Sequence, residues 1–163
     1  MKKLFVITML CFTALSLSAQ YVDLGLPSGT LWKQENESGY YIYGEALRKF
    51  GNQLPTKEQC EELVNYCTWK WGWSFSNGTG YTVTGRNGNQ IFIPASGFRS
   101  GDTWQLYNKG EGGWLWSSTY TDEYDAMYGT IHCGYAIMCA SFSVELVTSH
   151  ITTGNSVRLV KKK

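Results

Sequence analysis

The chain has 163 residues, which is enough for one domain with a buried core, and its formal net charge is only +1. Aromatic residues make up 15% of it, with seven Trp and eleven Tyr, and 18 Gly stand against three Pro. This mixture suits many short strands and tight turns better than it suits a helical bundle. The balanced charge excludes a basic field of the kind that attracts nucleic acid or an anionic membrane.

Residues 1–19 are typical of a secretory leader. Lys2 and Lys3 give a basic start, an apolar run follows, and small residues stand where cleavage needs them. The apolar run is too short for a stable membrane span. We predict cleavage before Gln20, a mature single domain of residues 20–163, and export to the periplasm, the outer cell surface or the medium.

Two short strands and a short helix are expected at the start of the mature chain. Residues 21–32 alternate apolar side chains on both sides of a Pro-Ser-Gly turn, which predicts a strand, a turn and a second strand. Residues 44–50 place three apolar side chains on one side, and Gly51 follows them as a stop signal. This pattern predicts a short helix.

The strongest helix signal in the sequence follows Pro55. Thr56 with Gln59 three residues later is a capping box, so helical backbone should begin at Lys57. One apolar stripe then recurs at helical period: Cys60, Leu63, Val64 and Cys67. We predict a surface helix of about three turns that serves as scaffold.

A tryptophan-rich strand and a hairpin are expected in the middle of the chain. Tryptophans occupy alternate positions in residues 69–73, which predicts a strand with one aromatic face. A hairpin is predicted to join residues 81–84 to residues 90–93, with Asn87 and Gly88 supplying the positive φ angles of its turn. Four tryptophans in predicted strands are assigned to the core: Trp69, Trp71, Trp114 and Trp116.

The C-terminal part of the chain is predicted to form three or four further strands. After a strand that begins at Trp114, these cover residues 127–132, 136–147 and 155–160. The acidic stretch of residues 122–125 is assigned to a loop between strands.

Four cysteines remain after removal of the leader, and disulfides are allowed in an exported protein. Cys60 and Cys67 lie about 10 Å apart along the predicted helix, beyond the roughly 7 Å that a disulfide spans. They therefore pair only with Cys133 or Cys139, or stay reduced. Cys133 and Cys139 can also pair with each other across a turn at residues 134–135, so one bridge and none both remain open.

Five sequence blocks occur in the order of one known family: VDLGLPSGTLW, LPTKEQCEELVNYCTW, GYTVTG with NGNQIFIPASGFR, WLWSSTY and GNSVRLV. Over residues 21–160 they resemble the Fibrobacter succinogenes major paralogous domain family, found in exported proteins of Bacteroidetes and their relatives. Residues 121–140 depart from the family pattern.

The resemblance implies an α+β fold of the C-type lectin-like class. In this fold two helices pack on a small mixed, mostly antiparallel sheet, and the first and last strands pair. The same fold serves the variable proteins of diversity-generating retroelements, in which substitutions concentrate in the C-terminal strands and loops. The resemblance therefore directs attention to that part of the chain.

The titratable side chains match no catalytic or metal-binding motif. His132 and His150 lack the HxH and HExxH spacings. Asp122, Glu123 and Asp125 could offer oxygen ligands to calcium, but the Glu-Pro-Asn and Trp-Asn-Asp triplets of calcium-dependent lectins are absent from the sequence. We therefore expect no cofactor, no metal and no enzymatic activity.

The candidate ligand-binding residues are rings in or beside the predicted loops, where stiff aromatic side chains make good contact surfaces. They are Trp104, Tyr107, Tyr120, Tyr124, Tyr128, His132 and His150. The sequence thus predicts an exported, non-catalytic module that recognises a protein or a glycan through its C-terminal strands and loops. One alternative is a copper oxidase of the formylglycine-generating type, which would use Cys133 and Cys139. A second alternative is a structural surface or fimbrial-type subunit.

Overall fold

The computed structural model describes residues 20–163, and the predicted leader lies outside this range. The protein is a mixed α+β structure with two helices and mostly antiparallel sheets. The helices are α1 (Tyr43–Phe50) and α2 (Lys57–Tyr66), with a 3₁₀ turn (Gly51–Gln53) after α1. The strands are β1 (Tyr21–Asp23), β2 (Thr30–Lys33), β3 (Thr68–Ser74), β4 (Gly78–Thr84), β5 (Gln90–Pro94), β6 (Phe98–Arg99), β7 (Leu106–Tyr107), β8 (Gly112–Asp125), β9 (Gly129–Ala140), β10 (Ser143–His150) and β11 (Val160–Lys162). Among the residues described, no helix combines the length and the apolar character that a membrane crossing requires.

The strands form several small sheets instead of one. Three sheets have three strands each, in the orders β1-β2-β11, β3-β4-β5 and β8-β9-β10, and β6 pairs with β7. The first and last strands share a sheet, but β2 lies between them: Val160 of β11 pairs with Trp32 of β2. The expected direct pairing of the first and last strands is therefore wrong.

Helix α2 is confirmed, including its capping box. The Thr56 hydroxyl accepts a hydrogen bond from the Gln59 backbone N–H at 3.3 Å, and the Gln59 side chain accepts one from the Thr56 N–H at 2.9 Å. Cys60 and Leu63 are fully buried. Cys67 lies just beyond the helix with extended backbone, so the predicted apolar stripe ends one turn early.

Helix α1 and the hairpin of β4 and β5 are also confirmed, but the hairpin turn is built differently from the prediction. Gly88 has φ +83°, whereas Asn87 keeps a negative φ. The Asn87 amide instead donates to the backbone carbonyl of Asp23 at 2.8 Å, which ties the turn to β1. A tertiary contact thus replaces the two-residue turn that the Asn-Gly pair indicated.

The C-terminal strands differ from the prediction in three places. Residues 122–125, assigned to a loop, belong to β8, where Asp122 pairs with His132. The predicted strand at residues 136–147 is two strands, β9 and β10, separated by a turn. Residues 155–159 form no regular strand, because they run buried through the core and make only isolated bridges.

The cysteine pairing of residues 133 and 139 is contradicted. Both cysteines lie in β9, where six residues of extended chain span about 20 Å. No turn interrupts the strand at Gly134, and Cys60, Cys67, Cys133 and Cys139 are all free. Of the two alternatives, one disulfide or none, the structure has none among these four cysteines.

Two hydrophobic clusters form the core. The first lies under α2 and includes Leu63, Ile93 and Ile137, and the second lies under α1 and includes Trp116 and Val157. Of the four tryptophans assigned to the core, Trp116 is fully buried, while Trp69, Trp71 and Trp114 are half-buried.

Candidate functional site

The hairpin of β8 and β9 carries most of the candidate residues, and its base is anchored to α2. The register of β8 on β9 shifts between Trp116 and Tyr120, which leaves a bulge in β8. In this bulge the Ser118 N–H donates to the Pro55 carbonyl at 2.8 Å, and the Thr119 hydroxyl accepts from the Lys57 N–H at 2.9 Å. Bulges redirect a strand, and here the redirected part continues into the exposed half of the hairpin.

The tip of this hairpin presents three large side chains to solvent. Tyr124 is 82% exposed, Met127 80% and Tyr128 77%. The backbone beneath them is ordered by Asp125, whose carboxylate accepts hydrogen bonds from the N–H groups of Met127 at 2.8 Å and Tyr128 at 2.9 Å. Gly129 completes the turn with φ +76°. We call Tyr124, Met127 and Tyr128 the hairpin tip.

Next to the hairpin tip lies a polar cluster of three side chains. The Tyr120 hydroxyl contacts the Asp122 carboxylate, and the same carboxylate is 2.7 Å from Nδ1 of His132. The hydrogen bond to Asp122 is the main reason why the pKa of Tyr120 is raised to about 12. Hydrogen bonds from Tyr120 and His132 in turn lower the pKa of Asp122. At neutral pH the cluster therefore holds a carboxylate and a neutral phenol in fixed positions.

A third strand supports the hairpin from the side. The Thr148 hydroxyl of β10 donates to the Glu123 carboxylate at 2.6 Å. The backbone N–H of Ile151, just after β10, donates to the His132 carbonyl at 3.1 Å. The exposed half of the hairpin is therefore held by contacts on both β8 and β9.

The remaining candidate residues lie elsewhere. Trp104 packs its ring against Gly154, and the Tyr107 ring stacks on Phe98 with centroids 5.8 Å apart. His150 pairs with Cys133 in the ladder, and its Nδ1 is 2.8 Å from the Thr152 hydroxyl. Tyr120, Tyr124, Tyr128 and His132 are thus brought together, whereas Trp104, Tyr107 and His150 are not part of that surface.

The sequence reasoning missed two kinds of residue. Met127 was not considered because no aromatic ring or motif marks it, although its place between two tyrosines could have drawn attention. Asp122 was assigned to a solvated acidic loop, and its contact with His132 depends on a strand pairing that the sequence does not reveal.

Cys133 and Cys139 show no feature of a reactive or metal-binding site. Cys139 is buried, its Sγ donates to the Gly113 carbonyl at 3.4 Å, and burial raises its pKa to about 12. Burial also raises the pKa of Cys133. Thiolates bind Cu(I) and act as nucleophiles, so these environments disfavour both roles. Within residues 20–163, no three His, Cys, Asp or Glu side chains converge as metal ligands would.

Comparison with known proteins gives no further assignment. No family model, no curated protein and no solved structure matches the chain. The resemblance to the Fibrobacter succinogenes major paralogous domain family therefore stays a prediction from the sequence blocks.

Proposed function

We propose that the protein is an exported, non-catalytic binding module with a C-type lectin-like fold, and that it recognises a protein through the hairpin tip. The observation that carries the proposal is the exposure of Tyr124, Met127 and Tyr128 together on an ordered turn. Single exposed apolar residues are ordinary, but a contiguous exposed patch marks an interaction surface.

The shape of the hairpin tip favours a protein over a small molecule. Small ligands bind in concave pockets, whereas this surface projects on the turn between two strands. Tyr and Met are enriched at the centres of protein interfaces, where they fill pockets of the partner. A partner surface with an apolar recess fits this tip better than a single sugar residue does.

The rigidity of the hairpin supports the same proposal. The carboxylates of Asp122, Glu123 and Asp125 each hold a neighbouring group through a hydrogen bond. A side chain that is already ordered loses less entropy on association. Residues 121–140, which depart from the family pattern, form the outer part of β8, the turn and β9. The binding surface therefore lies in the segment that differs from the family.

The proposal is tested by photo-crosslinking from position 128 on the surface of the producing cell, followed by calorimetry with the purified partner. The double variant Tyr124→Ser/Tyr128→Ser is expected to lower the affinity at least tenfold, because truncated hot-spot residues typically cost more than about 1.4 kcal/mol each. The matched control is Trp73→Ser/Phe75→Ser, which removes two exposed aromatic side chains at another turn. Equal losses in both double variants would contradict a specific role for the hairpin tip.

A second candidate function is self-assembly as a structural subunit. Trp73 at the end of β3 (69%) and Phe75 in the turn after it (94%) are exposed, and the turn between β9 and β10 exposes Phe142 (86%). The Tyr81 hydroxyl of β4 donates to the Ala140 carbonyl of β9 at 2.7 Å, which links the hairpin of β3 and β4 to the end of β9. Sedimentation that depends on protein concentration, and that Phe75→Ser with Phe142→Ser abolishes, would favour this function.

A further inference from the structure

Arg158 is a buried cation whose hydrogen bonds all go to neutral groups. Only 1% of its surface is exposed. Its Nε donates to the Asn36 side chain at 2.7 Å, and its Nη1 donates to the carbonyls of Lys33 and Gln34 at 3.3 and 3.0 Å. Its Nη2 donates to the Phe92 carbonyl at 2.7 Å. Arg158 therefore has a structural role through backbone carbonyls, and no ion pair is part of it.

This arrangement leaves the guanidinium incomplete in two respects. A guanidinium has five N–H hydrogens, and the four acceptors leave one hydrogen on Nη2 without a partner. Among residues 20–163, no carboxylate oxygen lies within 4.0 Å of the guanidinium. Burial lowers the pKa of Arg158 to about 9, so the side chain stays charged at neutral pH. A buried charge without a carboxylate in direct contact is costly.

A cavity of about 200 Å³ opens beside the guanidinium, lined by Gln34, Glu35, Asn77, Phe92, Pro94 and Arg158. The Nη2 atom is the guanidinium nitrogen that bonds to Phe92, one of the lining residues. A second cavity of about 490 Å³ shares Asn77 and Pro94 with the first and adds Tyr40, Ser96 and Lys109. The first cavity is smaller than the roughly 300–1,000 Å³ of pockets for drug-sized ligands, so one ring of a longer ligand fits it best.

We propose that these neighbouring cavities bind an acidic glycan, with the carboxylate of one uronic acid residue accepting the free Nη2 hydrogen of Arg158. The carboxylate supplies a directly contacting negative charge and the missing acceptor together. The amides of Gln34 and Asn77 donate to and accept from sugar hydroxyls. Phe92 and Tyr40 offer rings beside them, and Lys109 places a second positive charge in the adjoining cavity.

The backbone at this site favours a sugar over an extended peptide. β5 is an edge strand, and edge strands can accept a peptide as an added strand. Here the Phe92 carbonyl is already bonded to Arg158, and Pro94 has no N–H to offer. A peptide added at this edge would therefore lack some of the backbone hydrogen bonds of a strand, whereas a glycan does not depend on them.

Glu35 allows a prediction of the direction in which the affinity for a uronate changes. Its carboxylate lines the same cavity and acts electrostatically on Arg158. A ligand carboxylate would be repelled by Glu35, so removal of that charge should strengthen the binding of a uronate. Glu35→Gln is expected to lower the Kd of a uronate about threefold, since charges a few ångström apart in a solvated site interact by somewhat less than about 1 kcal/mol.

The experiment is a titration of the purified protein with a glucuronic acid disaccharide and a glucose disaccharide at fixed ionic strength, followed by amide NMR. The uronate is expected to shift the side-chain amides of Gln34 and Asn77 and to bind at least tenfold more tightly than the neutral sugar. Arg158→Lys keeps the charge but loses the Nη2 hydrogen, and it should weaken the uronate at least tenfold. Its amide spectrum and melting temperature report whether it folds.

Glu35→Gln keeps the test decisive if Arg158→Lys does not fold. Glu145→Gln, which removes an exposed charge on β10 outside both cavities, is the control that should leave the Kd unchanged. Three outcomes would each overturn the proposal. They are equal affinity for the two sugars, no binding of either sugar at about 10 mM, and weaker binding of the uronate by Glu35→Gln. Tighter binding of a short peptide with a free terminal carboxylate than of the uronate would overturn the choice of a glycan.

Discussion

The backbone N–H of Lys57 donates to the hydroxyl of Thr119 at 2.9 Å, so the first residue of α2 is capped by the bulge of β8. The free N–H groups at a helix start need acceptors. Thr56 satisfies one of them within the helix, and Thr119 satisfies another from 62 residues away. Helix α2 and the base of the hairpin of β8 and β9 are therefore one structural unit.

Thr119→Val is expected to destabilise the protein by about 1 kcal/mol, because the substitution keeps the shape and leaves the Lys57 N–H without its acceptor. Urea unfolding followed by fluorescence measures the change. Thr121→Val is the matched control in the same strand, since the Thr121 hydroxyl makes only a 3.4 Å contact with a carbonyl. Equal stability of the two variants would show that the cap contributes nothing.

Gly134→Ala is expected to destabilise the protein by about 1–3 kcal/mol through overpacking. A Cβ at this position would lie 2.5 Å from the ring of Tyr43. That ring cannot move away easily, because its hydroxyl donates to the Ser118 carbonyl at 2.7 Å and the ring packs edge-on against Trp116.

Gly72→Ala is the control for this substitution, also within a strand. A Cβ at Gly72 meets nothing within 4 Å, and the residue has no positive φ. We expect its effect to be neutral or slightly stabilising, because Gly in a strand loses more entropy on folding than Ala. Thermal unfolding of both variants measures the difference, and similar melting temperatures would show that the Tyr43 ring yields.

Signals within a few residues made the helices predictable, whereas the site depends on pairings across the chain. Thr56 and Gln59 cap α2 over three residues, and the period of the apolar stripe adds to that signal. By contrast, Asp122 and Tyr124 lie in a strand that is exposed on both faces. Without a buried face, the strand has no alternation of apolar and polar residues by which to recognise it.

The strand predicted at residues 155–159 is wrong for a different reason: this segment has no exposed face. Val157 and Leu159 alternate as in a strand and pack in the core cluster under α1, but Ser156 and Arg158 beside them are buried as well. Tyr43 is 5% exposed and Tyr124 82%. The residue type alone does not distinguish them, since a tyrosine ring suits both a core and a surface. Exposure of the site residues follows from the projecting hairpin, which only the assembled fold defines.

The four cysteines within residues 20–163 are expected to react as free thiols. Cys60 and Cys139 are fully buried, whereas Cys67 is half-buried, and burial raises its pKa to about 11. Alkylation of the native protein should therefore modify Cys67 first, and unfolding should be needed for Cys60 and Cys139. Mass spectrometry without a reductant measures the count, and fewer than four alkylated thiols after unfolding would reveal a disulfide.

Asp122→Asn is expected to lower the pKa of Tyr120 from about 12 towards its ordinary value of 10. The hydrogen bond to the carboxylate favours the neutral phenol, so folding stability from this contact is present below pH 10 and is lost as the pH rises towards 12. The Asp122 pKa is lowered in turn, so its contribution is present above pH 3.8 and is lost as the pH falls below that value.

Carbon NMR of the Tyr120 ring against pH measures the change. Glu123→Gln is the control, because it removes a neighbouring charge of the hairpin without touching the hydroxyl of Tyr120. If the pKa of Tyr120 falls equally in both variants, the raised pKa comes from the negative charge of the hairpin and not from the hydrogen bond to Asp122.

Asp125→Ala is expected to loosen the hairpin tip, because the N–H groups of Met127 and Tyr128 share the carboxylate of Asp125 as their acceptor. Their amide exchange should become severalfold faster, while α2 keeps its protection. Asp125→Asn retains an oxygen acceptor and should preserve slow exchange. If pre-organisation sets the affinity for the partner, Asp125→Ala weakens binding with Tyr124 and Tyr128 intact, and Asp125→Asn does not. Unchanged binding by Asp125→Ala would show that the partner itself orders the turn.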